Sequence, residues 1–133
     1  MAVRITIIST RRPVQPNINH ELQWLGSSLG LFGMRDKDKS CFRIFIELIK
    51  STKQAKALTS DELAIKLNLS RGTVVHHLHR LTDSGIVVFE GRGYMLRVNK
   101  LGILINEIEK DLKRALEDMK IIADEIDKKI GRE

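Results

Sequence analysis

The chain of 133 residues contains one cysteine, Cys41, and two prolines, Pro13 and Pro16. A single thiol forms no internal disulfide, so a disulfide-stapled secreted scaffold is excluded and a reducing, cytoplasmic setting is expected. The N-terminus lacks the long apolar stretch of a secretory signal. The longest unbroken apolar runs are only a few residues, against the roughly 20 needed to span a bilayer, which excludes a membrane-embedded protein. There is no nucleophile elbow, phosphate-cradling Walker loop, G-x-G-x-x-G turn or carboxylate pair at a strand end, so nothing points to an enzyme or a bound cofactor. Apolar residues make up 42%, charged residues 30% and aromatics only 5%, a balance that fits one globular domain, or a small domain with an extension.

Basic charge is abundant. Lys and Arg number 23 against 17 Asp and Glu, a formal net charge of +6 with a pI near 9.7. A polyanionic partner follows, nucleic acid first and a membrane surface second. Residues 1–14 carry three Arg and no acid, and residues 35–58 carry seven bases against three acids. Between Lys66 and Arg97 there are five bases and two acids, whereas residues 99–133 hold eight bases and nine acids, interleaved as on a solvated helix.

Val3 to Ile8 is β-branched and reads as a short strand without an evident partner, ended by Ser9 to Arg12 and the two prolines. From Asn17, the residues Ile18, Leu22, Leu25, Leu29 and Phe32 recur at helical spacing, and Gly33 closes that helix. Gly26 and Gly30 weaken it by about 1 kcal/mol each relative to Ala, and serve either close packing or a hinge. A second amphipathic helix starts near Asp36 or Asp38, with Phe42, Phe45, Ile46 and Ile49 on one face and Cys41 as a quiet small residue. Ser51 to Ala57 reads as a polar loop.

Thr59-Ser60-Asp61-Glu62 is a T-x-x-E capping box, opening a short helix that buries Leu63, Ala64 and Leu67. Ser70 is the next N-cap; Val74, Leu78 and Leu81 share one face of the helix it opens, and Gly85 ends it. Two short helices joined by a tight turn form a helix-turn-helix. A hairpin follows at once: Ile86 to Glu90, the turn Gly91-Arg92-Gly93, then Tyr94 to Val98. A basic-tipped hairpin after a helix-turn-helix is a winged helix. Asn99 then caps or precedes a long final helix. In it Ile105, Ile108, Leu112, Ala115, Met119, Ile122 and Ile126 alternate spacings of three and four, a heptad seam that one helix cannot bury alone.

The segment Leu69-Ser-Arg-Gly-Thr-Val-Val-His-His-Leu-His-Arg-Leu-Thr-Asp-Ser-Gly-Ile-Val-Val88 resembles the recognition segment of ArsR-like winged-helix transcriptional regulators, particularly the metal-independent archaeal forms. Glu90 to Leu96 looks like the family's wing, and the resemblance covers roughly residues 36–98. Val75 departs from it, since the family often carries Ser there. The resemblance implies a homodimer acting at promoters. It does not imply thiolate metal sensing, which uses clustered cysteines where this chain has only Cys41.

With Val74, Leu78 and Leu81 facing the core, Arg71, Gly72, Val75, His76 and His79 fall on the outward side of the recognition helix. Arg71, in the first turn, is the candidate reader of guanine O6 and N7. Positive charge there opposes the helix dipole, which a ligand explains more readily than folding does. Val75 is placed to touch a thymine methyl or to be part-buried at the domain edge. Ser70 and Thr73 combine capping with phosphate contacts, Arg80 meets phosphate or pairs with an acid, and Arg92 enters the minor groove or meets backbone. Tyr94 donates to phosphate or braces the hairpin. His76 and His79 lie one turn apart, but no carboxylate or cysteine accompanies them, so they are assigned to DNA and no metal is expected. His77 reads as a packing or hydrogen-bonding histidine.

The expected fold class is therefore mainly α with a small β-hairpin. Residues 1–34 are an arm and supporting helix, 35–98 the winged helix-turn-helix, and 99–133 a coiled-coil-like dimerisation helix. The partners implied are double-stranded DNA with a pseudo-palindromic operator and a second copy of the chain. A winged-helix module that binds protein rather than DNA, and a nonspecific architectural DNA binder, are the rival readings.

Overall fold

Helix α2 (Ser40–Lys53) is the centre of the first of two units, residues 1–99 and residues 100–133, into which the chain divides. The structure is a computed structural model that describes residues 3–15, 17–33 and 36–131. Pro16, read as a chain breaker, lies outside the described residues. Around α2 are α1 (Ile18–Ser28), α3 (Ser60–Leu67), α4 (Arg71–Asp83) and a hairpin of β1 (Val87–Glu90) and β2 (Gly93–Leu96). The mainly helical winged helix-turn-helix class is as expected. α2 packs against α4, β2 and α3, and its Ile44, Phe45 and Leu48 are fully buried beside Leu63, Val74, Leu78 and Leu81 of the other helices. The buried line is turned from the expected face: Cys41, Ile44, Phe45 and Leu48 lie deepest, while Phe42, Ile46 and Ile49 are half-buried.

Three expected boundaries move. α2 begins at Ser40 rather than at Asp36 or Asp38, because the Asp36 carboxylate reaches forward from the preceding loop to accept the Ser40 and Cys41 amide hydrogens, at 2.9 and 3.0 Å. That makes Asp36 a surrogate cap, where Lys39 provides none. α2 also runs on through Lys53 instead of giving way to a loop at Ser51. Ser51 and Thr52 are buried, and the Thr52 hydroxyl accepts the Leu96 amide hydrogen at 3.0 Å. α1, capped by the Asn17 side chain on the His20 amide, ends at Ser28 and not near Gly33. Gly30 is therefore not on the helix but just beyond its end. Gly26 serves close packing, since a Cβ there would lie 2.8 Å from the Phe42 ring.

Val3 to Ile8 forms no strand. A β-branched run needs a ladder partner, and none lies alongside among the described residues. The run is instead an extended arm, held where the Arg4 and Ile8 amides donate to the carbonyls of Asp83 and Ser28 (2.9 and 2.8 Å). The Trp24 indole donates to the Arg11 carbonyl farther along.

The second unit is the 30-residue helix α5 (Leu101–Ile130), about 45 Å long. Its N-cap position is Lys100, so Asn99 precedes the helix without capping it. Leu104 and Ile108 are buried, Leu112 is half-buried, and Ile105, Ala115, Met119, Ile122 and Ile126 are exposed. The exposed apolar surface is broader than the heptad seam, because Leu116 and Ile130 join it, while Ile121 is exposed on the opposite side of the helix. On this helix Lys110 pairs with Glu107 and Arg114 with Asp111, one turn apart.

Candidate nucleic-acid interface

Local chemistry sets the ends of both motif helices. Thr59 and Glu62 form the reciprocal capping box at α3, at 3.0 and 3.1 Å. Ser70 caps α4: its Oγ accepts the Thr73 amide hydrogen at 3.1 Å and donates to the Thr73 hydroxyl at 2.8 Å. At the other end the amides of Gly85 and Ile86 donate to the carbonyls of Thr82 and Leu81, a Schellman closure that turns the chain directly into β1. Val74, Leu78 and Leu81 are buried, which leaves Ser70, Arg71, Gly72, His76, His79 and Arg80 exposed on α4. Thr73 and Val75 are half-buried. Arg71 is not free on this surface: its Nε lies 3.3 Å from Asp61 Oδ1 on α3, an exposed pair of small worth.

The wing is pinned on both sides. β1 and β2 pair antiparallel from Val87↔Leu96 to Glu90↔Gly93, and on the other side of β2 Leu58 adds a single rung through two backbone bonds with Tyr94 (2.7 and 3.0 Å). Gly91 and Arg92 make the two-residue tip, with Arg92 exposed. The Tyr94 ring stands edge-on to Phe89 at 4.9 Å, which fits the hairpin-bracing role. Phe89 itself is exposed beside the wing tip and was not singled out from the sequence; an aromatic in a β-branched strand gives no signal of which way it faces. A Cβ at Gly93 would lie 2.9 Å from the Leu58 backbone. Gly93→Ala is therefore expected to cost about 1–3 kcal/mol by forcing this rung apart, measured as a lower urea midpoint; an unchanged midpoint would contradict the packing described.

Residues 45–95 match the family model of an HTH domain. This segment is a helix-turn-helix domain. No curated protein and no solved structure matches the chain. The HTH domain begins within α2 and ends in β2, so the match spans the capped helix pair and most of the wing. No helix among the described residues is long and apolar enough to cross a membrane, and no group of three or more His, Cys, Asp or Glu among them is placed to hold a metal ion.

The loop before α2 adds groups that sequence reading left out. Lys37 and Asp38 line an open groove together with Gly72, Thr73, His76 and Arg80 of the HTH domain. Asp36 and His77 also line it, with Asp36 Oδ2 3.9 Å from His77 Nε2, and both side chains are nine-tenths buried or more. His77 Nδ1 is buried without a hydrogen-bond partner. The tautomer carrying its proton on Nε2 turns the N–H toward the carboxylate and leaves Nδ1 a bare acceptor. Burial pushes the His77 pKa below its ordinary 6.5, with the nearby Asp36 charge opposing and His76 and Arg80 adding to the fall. Burial alone would raise Asp36, but the amides of Cys41 and Ser40 outweigh it and hold the carboxyl below its ordinary 3.8.

The sign of the pH effect follows. His77 stays neutral in the fold, so its contribution to stability is full above pH 6.5 and is lost as the unfolded chain takes up the proton below that value. Asp36 contributes above pH 3.8, and its share is lost only as pH falls through its lower folded value. Melting temperature is expected to decline from pH 7 to pH 5 in the native chain and to flatten over that range in His77→Leu. Equal slopes in the two proteins would remove His77 from the account.

Proposed function

We propose that the chain is a homodimeric, sequence-specific DNA-binding transcription regulator of the ArsR-like kind, with α4 as the recognition helix and the β1–β2 wing on the phosphate backbone or in the minor groove. The observation that carries this reading is one exposed surface. The outward side of α4 presents Arg71, Gly72, His76, His79 and Arg80, and the wing tip presents Arg92, on a helix-turn-helix domain. Arg71 reads a base edge by exchanging the carboxylate of Asp61 for guanine O6 and N7. Half-buried Val75 offers a methyl surface to thymine. Ser70 and Thr73, already hydrogen-bonded to each other, position the helix N-terminus toward phosphate. Paired along α5, two copies place their recognition helices about 34 Å apart and meet an operator with two-fold symmetry.

Gel shifts with genomic fragments over a range of salt test this reading. Affinity falls steeply with salt, and Arg71→Ala costs about 1–3 kcal/mol on the preferred sequence while relaxing discrimination there. Arg80→Ala and Arg92→Ala weaken all sequences evenly and lower the salt slope by about 1 each. An equal loss on every sequence for Arg71→Ala would take it out of base readout. Binding only to an acidic protein, with no shift of DNA at moderate salt, would favour the interaction-module reading, and a specificity ratio near one would favour an architectural binder.

A further inference from the structure

Under the N-terminal arm, at the C-terminal end of α4, lies a cavity of about 260 Å³ that the DNA-binding reading touches only through Arg80. Its floor is Leu29, Leu31, Cys41 and Leu81, each 5% exposed or less. Its rim carries Arg4 and Thr6 from the arm and Arg80, Asp83 and Ser84 from α4 and its cap. The arm closes over it at one point only a glycine permits: Gly30 has φ +74°, and a Cβ there would fall 2.6 Å from the Thr6 methyl. On either side of that point the arm is tied down by the Arg4 and Ile8 amide bonds to Asp83 and Ser28.

The chemistry of the cavity is divided. The floor is aliphatic and uncharged, since burial pushes the Cys41 thiol up to about 11 and keeps it protonated. The rim sets two guanidinium groups against one carboxylate, and neither Arg4, Arg80 nor Asp83 appears in an ion pair among the described residues. The Ser84 hydroxyl is already committed to the Arg80 carbonyl at 2.8 Å. An apolar floor beneath unpaired guanidinium groups fits a ligand with a short branched alkyl body and one anionic end. At about 30 Å³ per water-sized group, the volume admits roughly eight or nine non-hydrogen atoms.

We propose that this cavity is an effector site for a small aliphatic monocarboxylate, with its alkyl group on Leu29, Leu31, Cys41 and Leu81 and its carboxylate between Arg4 and Arg80. Arg80 also lines the groove beside Gly72, Thr73 and His76, so one residue borders both places. A carboxylate under the arm draws Arg80 away from that groove, and occupancy opposes DNA binding. This coupling rests on the DNA-binding reading, whereas occupancy of the cavity does not.

Titration of the full chain with 4-methylpentanoate, followed by calorimetry and by the methyl resonances of Leu29, Leu31 and Leu81, tests occupancy without DNA. Saturable binding that shifts those methyls is expected, weakened at least about tenfold in Arg4→Gln and for the neutral isostere 4-methylpentanamide. Inorganic phosphate, which lacks the alkyl body, leaves the three methyls unmoved. Absence of saturation at millimolar concentrations, equal binding of acid and amide, unchanged binding by Arg4→Gln, or phosphate moving the same methyls would each overturn the site. The second arm repeats the gel shift with the probe present. DNA affinity falls in the native chain and holds in Arg4→Gln; a saturated cavity with unchanged DNA affinity overturns the coupling while the site stands, and a chain that binds the probe but no DNA sinks the functional reading alone.

Discussion

The proposed dimer is expected to fall to monomers at micromolar concentration when Met119→Glu is combined with Ile122→Glu. Both side chains are more than half exposed on α5, within an apolar face that also carries Leu116, Ile126 and Ile130. A lone helix has no neighbour to cover such a stripe, whereas two copies packed along it bury it as a heptad seam. Charges at consecutive core positions of the seam are desolvated in the dimer and solvated in the monomer, so the penalty falls wholly on association. The DNA consequence is larger than the structural one, because each half then binds its site independently. Losing the linkage between two half-sites lowers apparent affinity for an inverted repeat by about 10²- to 10⁴-fold. Light scattering and a gel shift on the same samples check both parts. An unchanged mass in the double variant would remove α5 from the dimer interface.

Phe45→Ala is the second large expectation, and it acts on folding. Phe45 is fully buried at the middle of α2, the helix that packs against α3, α4 and β2. Truncation removes the ring and leaves a cavity that α2, held by packing on several sides, cannot close, at a cost of about 3–5 kcal/mol. That is a large share of the roughly 5–15 kcal/mol of a typical domain. The melting temperature falls by more than about 12 °C for a unit of this size, and DNA binding is lost in proportion to the unfolded fraction. A shift of only a few degrees would mean that the core is centred elsewhere. Ile46→Ala, at a half-buried position on the same helix, is the comparison that separates core packing from helix propensity.

The motif was legible in the sequence because its determinants are local. Thr59 with Glu62, Ser70 with Thr73, and Gly85 with the end of α4 are contacts between residues a few positions apart, which spacing alone can announce. The misread segments depend on contacts distant in the chain. Ser51 and Thr52 looked like loop because they are polar, yet Thr52 is buried to receive the Leu96 amide from 44 positions along the chain. Val3 to Ile8 had strand composition but no strand to pair with, and it became an arm tied to Ser28 and Asp83. Asp36 was noted as a helix start; its wider task of capping from four residues away while facing His77 depends on how α2 and α4 pack. The outward face of the recognition helix was legible by the same period that placed Val74, Leu78 and Leu81 inside. The Arg71–Asp61 pair was not, because it depends on the crossing of α3 and α4.

The proposed function turns on the reading of DNA sequence by the outward face of α4. Selection of binding sites from a random double-stranded DNA pool, followed by competition of the winner against its scrambled version at physiological salt, tests it most directly. An enriched inverted repeat with half-sites one helical turn apart is expected, bound about 10³-fold or more tighter than the scramble, with the discrimination reduced in Arg71→Ala. A pool that enriches no motif, or one bound equally in both orders of its bases, would contradict it.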